Sequence, residues 1–135
     1  MRLPSEESLP MTEEMTRCIE TCLGCYKACL ATAMNHCLEV GGKHVEPSHF
    51  RLMMACAEIC RTSAHFMLIG TPHHKHTCRE CAEICGECAQ DCRKIGDMDE
   101  CVAACEACEA SCRKMAAQRR LSAGTVDRNS DQRRR

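Results

Sequence analysis

Residues 78–92 read CRECAEICGECAQDC and place five cysteines at Cys78, Cys81, Cys85, Cys88 and Cys92. Successive cysteines are 3, 4, 3 and 4 residues apart, which keeps them on one face of an α-helix over two heptads. Such a seam normally carries Leu, Ile or Val pointing into a helical core. The stretch therefore predicts a helix whose buried face is made of thiols.

The same spacing recurs in three other segments of the chain. It appears at Cys18, Cys22, Cys25 and Cys29, at Cys56 and Cys60, and at Cys101, Cys105, Cys108 and Cys112, while Cys37 lies beside the end of the first seam. The surrounding patterns predict helices over about 12–40, 47–69, 72–95 and 98–117. Short connections imply an all-α fold, an antiparallel up-down-up-down four-helix bundle with a cysteine-lined core over residues 1–118.

Local signals mark where the helices begin and end. Thr12 is a predicted N-cap, and Asp97, three residues before Glu100, resembles a capping box for the fourth helix. Gly24 and Gly86 lie inside helices, where a close approach of neighbouring helices would explain them. The predicted stop signals are Gly41, Gly42, Gly70 and Gly96.

Composition limits what can fill the core. The 135 residues include 16 Cys and 9 Met but no Trp, one Tyr and two Phe, so sulfur-containing side chains must supply much of the buried volume. From Arg119 onward six Arg and two Asp give a charge of +4. Because the whole chain has a net charge of −1, residues 1–118 carry −5. We therefore predict a flexible Arg-rich tail over 119–135 and no nucleic-acid partner.

The same considerations predict a cytoplasmic protein. The N-terminus MRLPSEESLPMTEEMTR lacks the apolar region of a signal peptide, and no run approaches the length of a membrane span. If the chain is complete, it stays in the cytosol, where thiols are kept reduced. So many cysteines there indicate metal binding more than disulfides.

Thiols three and four residues apart on a helix can grip one soft ion between them. Thiolate and thioether ligands select Cu(I), Zn(II) or iron–sulfur clusters. Several four-thiolate zinc sites in one bundle would each keep two negative charges, whereas Cu(I) shared among thiolates leaves a core near neutrality. Iron–sulfur clusters are less favoured because the ferredoxin run is absent. A zinc or mixed soft-metal buffer remains an alternative. We do not predict an enzyme, because the sequence does not indicate one activated thiol paired with a base.

The second helix is apolar well beyond its seam. This surplus predicts burial against another subunit, with a tightly packed monomer as the alternative. It also keeps open a third function, a metal-regulated interaction module. The flanking residues are Leu52, Ala55, Ile59, Phe66 and Ile69.

Four stretches carry a resemblance to a known family: TRCIETCLGCYKAC, AMNHCLEVGGKHVEPSHFRLMMACAEICRTSAHFML, TCRECAEICGECAQDC and CVAACEACEASCRKMA. Over about residues 12–116 the chain resembles the cytosolic branch of the cysteine-rich, four-helix-bundle copper storage proteins. The resemblance implies a core that binds many Cu(I) ions, a tetramer, and copper donor or acceptor proteins. It also implies that copper enters at one end through His36, Met53 and Met98, with His49 beside them.

The candidate metal ligands are all sixteen cysteines together with four residues at that end, where the alternative for His36 and His49 is a role as capping or hydrogen-bonded core histidines. His44 is expected at the surface, and the stretch His73, His74, His76 is either a second entrance or an exposed helix start. The candidate ligands are Cys18, Cys22, Cys25, Cys29, Cys37, Cys56, Cys60, Cys78, Cys81, Cys85, Cys88, Cys92, Cys101, Cys105, Cys108, Cys112, His36, His49, Met53 and Met98. Met11, Met15, Met67 and Met115 are expected to plug the opposite end, and Thr32 and Ser63 occupy seam positions without sulfur.

Overall fold

The computed structural model describes residues 11–134, with side-chain positions for 11–118. It contains four main helices. Helix α1 comprises Glu13–Thr32, a π-helical turn over Ala33–Cys37 and a last turn over Leu38–Val40. The others are α2 (Pro47–Leu68), α3 (His74–Ile95) and α4 (Asp99–Arg134).

The helices pack in a ring that follows the chain. Helix α1 contacts α2, α2 contacts α3, α3 contacts α4, and α4 closes the ring against α1. This arrangement confirms the up-down-up-down bundle. All sixteen cysteines lie in its core with no exposed surface, so the thiol seams occupy the positions that leucine would fill in an ordinary bundle.

The π-helical turn changes which residues of α1 face the core. The regular seam holds from Cys18 to Cys29, and the next core residue is then Ala33 rather than the half-buried Thr32. The turn inserts one extra residue, which carries Cys37 fully into the core and leaves His36 half-buried at the rim. A strict helical repeat places Cys37 only beside the seam, so this shift was not visible in the spacing.

The helix starts agree only partly with the sequence signals. The N-cap at Thr12 is confirmed, because its Oγ1 accepts a hydrogen bond from the Met15 amide at 3.0 Å. The capping box at Asp97 is wrong: its φ of 64° lies outside the extended region that an N-cap adopts. Helix α3 begins at His74, two residues later than expected, after a turn in which Thr71 Oγ1 accepts from the His73 amide.

The fourth helix extends from Asp99 to Arg134, whereas the sequence pattern placed its end near residue 117. The structure describes no side chains beyond residue 118, so the flexible Arg-rich tail over 119–135 stays a prediction. Within the described part of the chain, no helix is both long enough and apolar enough to span a membrane.

Candidate metal centre

The cysteine side chains form a continuous network of sulfur atoms along the bundle axis. Some contacts follow a single helix at the predicted spacing of four residues, with Sγ–Sγ distances of 3.8–3.9 Å. These are the pairs Cys25/Cys29, Cys81/Cys85, Cys88/Cys92 and Cys108/Cys112. Neighbouring thiols along α1, α3 and α4 are therefore already in contact within their own helix.

The shortest sulfur contacts join different helices. Cys29 of α1 lies 3.3 Å from Cys101 and 3.5 Å from Cys105 of α4, and Cys60 of α2 lies 3.5 Å from Cys85 of α3. These contacts bring thiols from all four helices together at the bundle axis. Sequence spacing could not predict them, because it relates only residues on the same helix.

Groups of four thiols in this network have the geometry of metal sites. In each group the four sulfur atoms lie within 4.8 Å of one another, and every member is buried. The groups overlap, because most of their cysteines belong to two of them. They include Cys22/Cys81/Cys108/Cys112, Cys25/Cys56/Cys60/Cys85, Cys25/Cys29/Cys56/Cys105, Cys29/Cys88/Cys101/Cys105 and Cys60/Cys81/Cys85/Cys108.

Overlap distinguishes between the candidate metals. A structural zinc site uses four ligands of its own, so neighbouring groups that share cysteines cannot all be filled as separate zinc sites. A thiolate that bridges two Cu(I) ions serves both, and soft sulfur ligands suit Cu(I). The arrangement of thiols therefore fits a chain of bridged Cu(I) ions better than isolated zinc ions.

Burial and sulfur–sulfur hydrogen bonds raise the pKa of several core thiols and so favour their protonated form. Desolvation raises the pKa of the Cys37 thiol. The hydrogen bond to Cys108 raises the pKa of Cys60, and the hydrogen bond to Cys101 raises that of Cys105, with burial acting in the same direction in both. A metal ion that binds here must displace these protons.

The hydroxyl groups of Ser111 and Ser63 differ in their contacts with the sulfur core. Ser111 Oγ donates to Cys18 Sγ at 3.4 Å and lies 2.6 Å from Thr21 Oγ1, and both hydroxyl residues are half-buried. Ser63 is fully buried on the α2 seam, and its Oγ has no hydrogen-bond partner among the side chains that the structure describes. Ser63 therefore occupies a seam position inside the sulfur core where a cysteine could stand but a hydroxyl does.

One end of the core is lined by mixed sulfur ligands. Cys37 Sγ lies 3.8 Å from Met53 Sδ and 3.6 Å from Met98 Sδ, and all three side chains are buried. We call this end the mouth, defined by Cys37, Met53, Met98 and the histidines His36, His44 and His49. Once the Cys37 thiol has lost its proton, one thiolate and two thioethers can hold a single Cu(I) without net charge.

The histidines of the mouth leave several ring nitrogens unpaired. Among residues 11–118, His36 Nε2, His44 Nδ1 and His49 Nε2 are buried without a hydrogen-bond partner, and the rings of His36 and His44 meet edge to face at 5.1 Å. Burial, with the nearby His36 and His49, lowers the pKa of His44 and favours its neutral imidazole. Unpaired neutral imidazole nitrogens are available as metal ligands.

The surface position predicted for His44 is wrong, since only 7% of the residue is exposed. The 3₁₀ turn Gly42–Val45 folds it back over the mouth, with its amide donating to the Gly41 carbonyl at 3.1 Å. The paired glycines before it were the sequence signal of such a turn. They could not show which side of the turn would face the bundle.

The opposite end is closed by thioethers. Met67 and Met115 are buried, with Met67 Sδ 4.0 Å from Cys78 Sγ, whereas Met11 is 47% exposed. His74 is also buried, but its Nδ1 lies 2.8 Å from the Thr71 carbonyl oxygen, so this nitrogen serves the helix start. The described contacts therefore favour a plug at this end rather than a second entrance.

Comparisons with known proteins agree with this geometry. A family model described as copper storage protein matches residues 11–117. An uncharacterized cysteine-rich protein of Bacillus subtilis (strain 168), YhjQ, is 39% identical over 88 residues, covering 62% of this chain and 77% of that protein.

Two solved structures are similar over most of the bundle. The Nmul_A1745 protein of Nitrosospira multiformis has a TM-score of 0.77 and 54% identity, over 78% of this chain and 97% of that chain. The Cu(I)-bound copper storage protein BsCsp3 has a TM-score of 0.70 and 37% identity, over 78% of this chain and 100% of that chain.

Proposed function

Because the chain belongs to the copper storage protein family, we propose that it stores several Cu(I) ions on the thiolates that fill its bundle. The observation that carries this proposal is the set of buried four-thiol groups that share members. Shared thiolates let the number of ions exceed the number of separate sites. The core then serves as a container, and the proposal assigns the protein no catalytic step.

Charge balance explains how such a core can fill and empty. Each neutral thiol that binds Cu(I) releases one proton, so a core with about one thiolate per ion stays near neutrality. A buried core tolerates this exchange because it never carries a large uncompensated charge. Storage at this balance would protect the cell from free copper and can supply it to copper enzymes through donor or acceptor proteins.

We propose that copper enters through the mouth. Cys37, Met53 and Met98 support this role because one thiolate with two thioethers binds Cu(I) less strongly than the thiolate groups deeper in the core. The unpaired nitrogens of His36, His44 and His49 would offer the ion a first set of ligands. An ion could then pass inward to stronger sites, first at Cys101 and Cys92.

The proposal is tested by an anaerobic Cu(I) titration in competition with a chromophoric chelator, followed by element analysis. We expect clearly more than about four Cu(I) per chain, the number that 16 cysteines could hold as separate four-thiol sites. Saturation at or below that number would contradict shared thiolates. Zinc dominating in protein from cells replete in both metals would favour the alternative of a zinc or mixed-metal buffer.

We propose further that the protein is a cytoplasmic homotetramer, as the family resemblance implies. A reducing compartment suits 16 cysteines that are all free thiols. On the outer face of α2, Leu52, Ile59 and Phe66 are only half-buried, and Leu68 and Ile69 are 55% and 62% exposed. Such a face supports packing against other subunits.

Light scattering of apo and copper-loaded protein tests the assembly. A tetramer in both forms is expected. A monomer in both would contradict the assembly, and a change of state on loading would favour a metal-regulated interaction module.

A further inference from the structure

A buried histidine and a carboxylate link two helices at the mouth. His49, in the first turn of α2, is 2% exposed, and its Nδ1 lies 2.7 Å from Oδ2 of Asp91 near the end of α3. The Asp91 side chain is 31% exposed and therefore remains in contact with solvent. This contact is the closest one between a mouth histidine and a carboxylate in the described part of the chain.

The contact determines which ring nitrogen of His49 is free. A carboxylate accepts hydrogen bonds, so Nδ1 carries the proton and donates to Asp91. In the neutral ring this leaves the lone pair on Nε2, which is buried and has no hydrogen-bond partner in the described part of the chain. His49 also lies four residues before Met53, on the same buried face of α2. Its free nitrogen is therefore on the side of the helix that carries the mouth thioether.

We propose that Asp91 is a positioning residue that fixes His49 in the Nδ1–H form, with Nε2 presented to incoming Cu(I). The inference rests on the proposed function, because it assigns His49 a copper ion as its ligand. Metal-binding histidines commonly donate their second nitrogen to a carboxylate, which sets the tautomer and raises the basicity of the ligand. Asp91 thus acts through His49 and does not itself bind copper.

A second carboxylate provides a matched comparison. Asp97 Oδ2 lies 3.5 Å from His36 Nε2, but its side chain is 82% exposed. It contributes negative charge near the mouth without a close hydrogen bond to the ring. Asp91→Asn and Asp97→Asn each remove one charge, so a difference between them reports on the hydrogen bond rather than on electrostatic attraction of the cation.

The first experiment measures the tautomer in the metal-free protein by nitrogen-15 NMR of the histidine rings. His49 should show a protonated Nδ1 and a bare Nε2, and Asp91→Asn should shift it toward a mixture or toward Nε2–H. Asp91→Glu should restore the original form in part. His74, whose Nδ1 contacts the Thr71 carbonyl, serves as an internal reference that should not change. An unchanged His49 tautomer in Asp91→Asn would overturn the inference.

The second experiment measures anaerobic uptake of Cu(I) by stopped flow. Asp91→Asn should slow uptake about tenfold, the lower end of the effect seen when an outer partner of a metal ligand is lost. The final number of bound ions should stay the same, and Asp97→Asn should change the rate less than about twofold. In a His49→Ala background, Asp91→Asn should have no further effect; an equal slowing there would show that Asp91 does not act through His49.

The two proposals fail in different ways. If the unaltered protein does not bind several Cu(I), the storage function fails, while the NMR result still decides whether Asp91 sets the tautomer. If it fills normally and Asp91→Asn fills at the same rate, only the positioning role fails. Thermal unfolding of each variant checks folding. If Asp91→Asn unfolds, Asp91→Glu, which restores the tautomer only in part, should still take up Cu(I) more slowly than the unaltered protein, and an unchanged rate would contradict the positioning role.

Discussion

A thiol and a hydroxyl behave differently when they are buried among sulfur atoms. A thiol is a weak hydrogen-bonding group and packs as a small apolar side chain, so sixteen of them can fill a core without metal. A buried hydroxyl without a partner destabilises the folded state by about 1–3 kcal/mol. Ser63, whose Oγ is unpartnered, is the residue at which this difference can be measured.

Replacing Ser63 by cysteine should increase both stability and copper capacity. The substitution removes the unpartnered hydroxyl and adds a thiol to the seam between Cys60 and Met67, so we expect about 1 kcal/mol more free energy of unfolding and about one more Cu(I). Denaturant unfolding of the apo protein and an anaerobic titration measure the two effects. Ser63→Ala is the control, because it removes the hydroxyl without adding a ligand. Equal capacities of the two variants would contradict the prediction.

Cys37 and Cys78 occupy comparable positions at opposite ends of the core, each beside methionine sulfur. Cys37→Ser should slow Cu(I) uptake about tenfold, because it removes the thiolate from the mouth. Both substitutions should lower the number of bound Cu(I) ions slightly and to a similar extent, but Cys78→Ser should leave the rate of uptake unchanged. Stopped-flow uptake and end-point titration of both variants provide the test. Equal rates for the two would contradict entry at the mouth.

At the scale of elements, two glycines inside helices have different surroundings. A Cβ on Gly86 of α3 would lie 2.8 Å from Glu109 Oε2 of α4, whose carboxylate also accepts a hydrogen bond from Arg113. No atom of the described residues lies within 4 Å of the corresponding position at Gly24. The predicted close approach of helices is therefore not seen at Gly24, and at Gly86 the nearby atoms belong only to the end of the Glu109 side chain.

Gly24→Ala should stabilise the protein by about 1 kcal/mol, since alanine is the better helix former and the exposed site has room for a methyl group. Gly86→Ala should gain less, because Glu109 must move and its contact with Arg113 is disturbed. Chemical denaturation of the apo variants measures both changes. A larger gain at Gly86 than at Gly24 would be the contrary result.

At the scale of the whole molecule, burial links stability to pH. Desolvation raises the pKa of Cys37 above the ordinary thiol value of 9.0, and hydrogen bonding with burial does the same for Cys60. At these two thiols the folded state therefore retains protons at a pH where the unfolded chain releases them. The resulting stabilisation is complete below the ordinary thiol pKa and is lost as the pH rises through the folded-state pKa.

The apo protein should accordingly unfold at progressively lower temperature above about pH 9, whereas the copper-loaded protein should change little over the same range. The loaded protein has already released these protons, so it has none left to lose. Thermal unfolding of both forms between about pH 7 and pH 10.5 compares them. A parallel decline of the two curves would show that the loss does not come from the core thiols.

The sequence by itself determined the four helices, the burial of thiols on their seams and the family. Periodicity predicts the helices and their buried faces, because a step of three or four residues can keep side chains on only one face of a helix, whereas the family follows from the resemblance of four stretches. It also predicted that His49, Met53 and Met98 would meet at one end, since short connections reverse the direction of successive helices.

Only the tertiary structure decided how the thiols of different helices combine into shared groups, such as the 3.3 Å contact between Cys29 and Cys101. It also decided that Cys37 turns inward through the π-helical turn, that His44 folds over the mouth, and that Asp91 pairs with His49. Spacing within one helix carries no information on distances between helices. The distances between helices follow from how the packed side chains fill the space between the four helices.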